Sequence, residues 1–144
     1  MSQGIIFAKN ESMEVWFSTL GAAILRVIVK DRNGIDRDVV LGYETMEDYT
    51  KCQGYLGAMV GRCANRIREG KFSLNGKAYQ IPINNGPNAN HGGPETLSFQ
   101  EFSWRKTETG VLFYIASPDG EAGFPGALML MVQYILEGSK LKIR

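Results

Sequence analysis

Apolar and polar residues alternate along short stretches of this chain instead of recurring every three to four positions, and a period of two predicts strands, not helices. Met13, Val15 and Phe17 alternate with Glu14, Trp16 and Ser18, as in a strand whose two faces meet different surroundings. Ile24 to Val29 predicts a second strand, and the turn residues Asp31-Arg32-Asn33-Gly34 lead into a third over Asp38 to Leu41. Thr45 with Asp48 three residues on resembles a capping box, so one helical turn at most is expected there. Asn75-Gly76 tolerates the positive φ of a type I′ turn, which makes Gly70 to Ile81 a tight hairpin with Phe72 facing Tyr79. Glu101 to Thr107 and Val111 to Ser117 flank Glu108-Thr109-Gly110 as another hairpin. Beyond the connection Pro118 to Gly126, residues Leu128 to Leu136 are largely apolar at odd and even positions alike. That pattern predicts a strand buried on both faces, with Met129 and Met131 in the core. Glu137 to Lys140 then turns the chain into Leu141 to Arg144, a strand with Leu141 and Ile143 on one face that reads as cut short.

Seventeen glycines in 144 residues exceed the average share of about 7% and fall between the apolar segments, which strengthens the all-β expectation. No repeat, low-complexity stretch or linker divides the chain, so one continuous domain is expected. Sixteen Lys and Arg against fifteen Asp and Glu give a net charge of +1, too little to attract nucleic acid or an anionic membrane. The longest apolar run, Ala127 to Val132, is far short of the roughly 18–20 residues of a membrane helix. Met1-Ser2-Gln3-Gly4 lacks the charged and apolar regions of a signal peptide, so a cytoplasmic location is expected. Cys52 and Cys63 are too few for a disulfide scaffold and form no CxxC pair, which suits reduced structural thiols. With one histidine and no phosphate-loop or zinc motif, neither metal nor nucleotide binding is supported.

The candidate chemistry lies in loops. Pro82 to Pro94, rich in proline, glycine and asparagine, is long for a passive connection, and ordered loops on β scaffolds often carry function. Within it His91 precedes Gly92-Gly93, and two glycines let backbone and imidazole approach a ligand closely, although a lone surface histidine need do nothing. Asn65-Arg66 joins an amide to a rigid five-donor fork, a pairing suited to sugar hydroxyls; equally, Arg62 and Arg66 could tie loops together by bonding carbonyls. Asp119 and Glu121 could form an acid and base pair, but in a Gly/Pro-rich connection such carboxylates more often satisfy turn amides. These residues describe a β protein whose Asn/Arg/His region could hold a small polyhydroxylated ligand. They do not name a reaction.

Four segments, in order and spacing, add a resemblance. They are Leu56 to Ile67 (LGAMVGRCANRI), Gly70-Lys71-Phe72 through Gly76 to Tyr79, Asn84-Asn85-Gly86-Pro87-Asn88 with His91-Gly92-Gly93, and Ser117 to Glu121 with Gly123-Phe124-Pro125-Gly126. Together they resemble the aldose 1-epimerase (galactose mutarotase) family from about Val15 onward, over the N-terminal part of a family member, about half of it. The resemblance implies an antiparallel β-sandwich of the galactose-mutarotase-like type, truncated, with residues 1–144 as the N-terminal part of one domain. It implies interconversion of the α and β anomers of an aldose such as galactose or glucose by acid and base ring opening, without metal or organic cofactor. Asn65 and Arg66 match the family's sugar-binding pair, and His91 matches the histidine of its His-Gly-Gly loop. The proton-donating histidine and the catalytic glutamate of the family fall beyond Arg144, so no catalytic residue is assigned and the isolated chain is expected to be inactive. Where the family usually has leucine, Asn90 precedes His91 and is expected to alter its seat. Two other readings stand beside this one: a non-catalytic carbohydrate-binding protein, and a structural half that needs a complementary C-terminal chain.

Overall fold

The alternation in Met13–Ser18 (β2) becomes a buried face: Met13, Val15 and Phe17 are buried while Glu14 and Trp16 are half-buried on the other side. The computed structural model describes residues 4–51 and 54–144. Cys52 and Met1 to Gln3, on which two of the sequence expectations rest, lie outside the described residues.

β2 pairs antiparallel with Ile5–Lys9 (β1) and with Ile24–Lys30 (β3), which pairs in turn with Asp36–Asp38 (β4). This four-stranded meander faces a second antiparallel sheet, in which Gly110–Ser117 (β10) lies between Ser103–Thr107 (β9) and Leu128–Glu137 (β11), with Lys140–Ile143 (β12) outside β11. Phe17 from the first sheet meets Phe113 and Tyr134 from the second, at centroid distances of 5.9 and 4.7 Å. All three rings are buried, and the Tyr134 hydroxyl donates to the Ala22 carbonyl at 2.7 Å, so the one polar atom of the cluster is satisfied. Burial pushes the Tyr134 phenol up to about 12. The two sheets therefore form an antiparallel β-sandwich around one core, all-β as the alternation and the glycine punctuation imply and a sandwich as the family resemblance implies.

Two small ladders lie outside the sandwich. Arg66–Ile67 (β5) pairs with Ala89–Asn90 (β8), and Lys71–Leu74 (β6) pairs with Lys77–Gln80 (β7). The β6–β7 hairpin turns at Asn75 (φ 52°) and Gly76 (φ 77°), and Phe72 faces Tyr79 with centroids 5.4 Å apart. Beneath the ladders Ile81, Ala89 and Phe124 make a separate core, against which Cys63, Ile67, Phe72 and Ala122 pack. Cys63 is a free, half-buried thiol in that packing.

Several sequence expectations need correction. β1 has no counterpart among those expectations: its burial alternates, but Ile5 and Phe7 on the exposed face are as apolar as buried Ile6, so the polarity pattern does not reveal it. The strand expected over Asp38 to Leu41 ends at Asp38 instead. There the Asp38 carboxylate accepts the Val27 and Val40 amides, and Val39 and Leu41 stand exposed. The capping box forms, with the Thr45 hydroxyl accepting the Asp48 amide at 3.3 Å, but its helix α1 (Met46–Lys51) runs six residues. Met129 and Met131 are not core: they are 57% and 60% exposed, and only the second half of β11 is enclosed. β12 pairs along β11, and Arg144 exchanges both backbone hydrogen bonds with Gln133.

Candidate functional site

The two-residue ladder β5–β8 ends at a pair of residues in the left-handed region, Asn65 (φ 62°) and His91 (φ 54°). They hold one another: the His91 amide donates to the Asn65 carbonyl at 2.9 Å, and the Asn65 amide donates to His91 Nδ1 at 3.1 Å. An Nδ1 that accepts a backbone N–H carries no proton itself, so the neutral imidazole has its hydrogen on Nε2. Arg66 is tied to the same group, Nε donating to Asn85 Oδ1 at 2.9 Å and a terminal nitrogen to Asn65 Oδ1 at 3.2 Å. Asn65, Arg66 and His91 are thus one hydrogen-bonded cluster. Asn65 and Arg66 are exposed and His91 is half-buried.

The asparagines of the Pro82 to Pro94 loop explain why so irregular a segment is ordered. Asn84 pairs with Asn90 as a strand would, its Oδ1 accepting the Asn90 amide at 2.7 Å and its Nδ2 donating to the Asn90 carbonyl at 3.1 Å. Asn88 accepts the Glu69 amide at 3.2 Å, and Asn85 accepts Arg66. The short strand β8 is therefore paired with β5 on one edge and with the Asn84 side chain, which imitates backbone, on the other. Gly92 (φ 95°) continues the turn after His91 where the chain passes against Gly61. Asn90 is buried with its side-chain oxygen unpartnered, a burial that costs about 1–3 kcal/mol.

The two arginines have different occupations. Arg62 spends its guanidinium on the next loop, donating to Ser117 Oγ and to the carbonyls of Ser117, Pro118, Pro125 and Gly126 at 2.6–3.2 Å. Arg66 bonds no backbone carbonyl among the described residues; its acceptors are the side-chain amide oxygens of Asn85 and Asn65. Asp119 and Glu121 serve that same loop: Asp119 accepts the Gly126 amide, and Glu121 accepts the Ser117 hydroxyl. Tyr55, one residue before the Leu56 to Ile67 segment, has no sequence signal of its own, yet its ring stands edge-on to His91 with centroids 4.8 Å apart. A crevice of about 300 Å³ between β1 and the β9–β10 turn, lined in part by Phe7, Lys9, Lys106 and Glu108, holds none of these residues. Among the described residues no group of three or more His, Cys, Asp and Glu is placed to hold a metal ion. No helix among them is long and apolar enough to cross a membrane.

Known proteins share both the sequence and the architecture. A family model described as aldose 1-epimerase matches residues 5–144. Galactose mutarotase of Bos taurus is 44% identical over 137 residues, covering 94% of this chain and 40% of its own length. The aldose 1-epimerase of Escherichia coli (strain K12) is 35% identical over 130 residues, 88% of this chain and 37% of its own. Among solved structures, an aldose epimerase homologue from C. elegans superposes with a TM-score of 0.87 at 31% identity, covering 94% of this chain and 42% of its own. The chain spans about two fifths of the length of the curated relatives it matches.

Proposed function

Because the chain belongs to the aldose 1-epimerase family, we propose that it carries the sugar-binding part of such a site, with Asn65, Arg66 and His91 contacting a hexose such as galactose. The observation that supports this most is the cross-tied cluster itself. The Arg66 fork, the Asn65 side-chain Nδ2 and the His91 Nε2–H are donors held in fixed relation on an exposed patch, which suits the oxygens of a polyhydroxylated ligand. Anomer interconversion also needs a base for the anomeric proton and an acid for the ring oxygen. His91 holds its Nδ1 on the Asn65 amide, and Asp119 and Glu121 are engaged within their own loop. By the family resemblance those two proton-transfer roles fall to a glutamate and a histidine that are not among these 144 residues.

An open patch encloses little of a sugar, so binding is expected to be weak, with a Kd of about 1 mM or higher. Titration of isotope-labelled chain with D-galactose should move the Asn65, Arg66 and His91 resonances along one saturable curve. Arg66→Ala should raise the Kd about tenfold, the scale of losing a charged hydrogen bond. Polarimetry of fresh α-D-galactose should show no acceleration by the chain. Absence of any saturable shift sinks the binding assignment, and acceleration in proportion to protein would place proton transfer on Asp119 or Glu121.

A second reading, that the chain is completed by a complementary one, is favoured by the first half of β11. Leu128, Met129 and Met131 are exposed on opposite faces of one strand, and Tyr114, the cross-strand neighbour of Met131, is 38% exposed. Apolar surface on both sides of a strand fits a further layer. Sedimentation of the chain mixed with a polypeptide equivalent to the remaining three fifths of the bovine relative should show a 1:1 complex. Two components that ignore one another would remove this reading.

A further inference from the structure

We propose that Tyr55 is a positioning residue for His91. Its ring walls the imidazole, so that Nδ1 stays on the Asn65 amide and Nε2–H is the group turned to a ligand. The part that concerns the ligand rests on the sugar-binding reading above; the part that concerns the ring does not.

Three observations carry it. The Tyr55 and His91 rings meet at 69° with centroids 4.8 Å apart, and Tyr55 is backed by Phe99 at 5.9 Å. Tyr55 has φ 54°, a conformation that a bulky aromatic rarely adopts and that persists only where the surroundings impose it. Those surroundings are visible. The carbonyl of Tyr55 accepts the Ala58 amide at 3.2 Å, Gly57 accepts the Ile24 amide at 3.0 Å, and the Met59 amide donates to Gly21 at 2.8 Å. A Cβ on Gly57 would lie 2.1 Å from the Ile24 carbonyl oxygen, so this segment is laid directly on the β2–β3 corner. The sandwich thus forces a strained backbone at Tyr55, and the result is a ring set against His91. The Asn65 N–H to Nδ1 bond restrains the imidazole at one atom only and breaks if the ring swings about its side-chain torsions; a wall on one side limits that swing.

His91 is the only histidine, so its nitrogens can be observed without ambiguity. The scalar coupling across the Asn65 N–H to Nδ1 hydrogen bond should be detectable in the wild-type chain and in Tyr55→Phe, which keeps the ring. It should vanish in Tyr55→Gly, a residue that accepts the positive φ without strain and so spares the backbone. The galactose Kd should rise about tenfold in Tyr55→Gly, the scale on which partners that orient a histidine act, and stay within about twofold in Tyr55→Phe. A coupling absent from the wild type, or undiminished in a folded Tyr55→Gly, overturns the positioning role. Normal coupling behaviour with no response to galactose in any variant leaves Tyr55 positioning His91 and removes the sugar instead.

Discussion

Gly92→Ala is expected to destabilise the chain by about 3–5 kcal/mol and to unseat His91. Gly92 has φ 95°, outside the region an alanine occupies without strain, and its missing Cβ leaves room for backbone, not for a side chain that could turn aside. A methyl there would lie 2.1 Å from the Gly61 carbonyl oxygen, 2.7 Å from its carbon and 3.0 Å from the Arg62 nitrogen. Relief requires moving either the 61–62 segment, which starts the Arg62 to Arg66 stretch, or the turn that begins at His91. Both routes break the Asn65–His91 pair. Gly86→Ala is the control: its φ is 55° but nothing stands within 4 Å of its added Cβ, so only the conformational cost of about 1–2 kcal/mol applies. Urea denaturation followed by tryptophan fluorescence gives both values. A Gly92→Ala chain as stable as Gly86→Ala, with His91 resonances in place, would mean that the close approach is not what seats the histidine.

What the residue pattern reveals here follows from how local each cause is. The β6–β7 hairpin was readable because Asn75-Gly76 fixes its own turn, and β2 because Met13, Val15 and Phe17 face one core. β1 was not, because Ile5 and Phe7 are apolar on its exposed side and erase the two-residue period. The β11 pattern predicts two buried faces, whereas the sandwich encloses only its second half; an apolar side chain reports a preference for burial, not the presence of a neighbour. In the site, Asn65, Arg66 and His91 could be singled out by residue type and family motif. Their mutual bonds could not, since β5 and β8 are two residues each and the free edge of β8 is held by the Asn84 side chain. Tyr55 lay beyond reach for the same reason: its strained backbone is imposed by the β2–β3 corner, more than thirty residues earlier in the chain.

Arg62 and Arg66 were equivalent on sequence, and their substitutions should separate. Arg62→Ala removes a cation whose nitrogens reach four residues of the 117–126 loop, and about 3–4 kcal/mol of stability should go with it. The sum falls below six charged hydrogen bonds because two of the acceptors, the Gly126 and Pro118 carbonyls, are exposed, and water can replace the lost donor there. Arg62→Lys should recover less than half, since a single ammonium cannot span Ser117 on one side and Pro125 and Gly126 on the other. Loss of the clamp also frees Ser117, the partner of Glu121, so amide exchange across residues 118–126 should rise while β2, β10 and β11 stay protected. The galactose Kd of the chains that remain folded should stay within about twofold, in contrast to the tenfold loss in Arg66→Ala, because none of the Arg62 donors is turned toward Asn65 or His91. If Arg62→Ala instead abolishes the galactose response while the loop stays protected, the division between a loop clamp and a sugar contact is reversed.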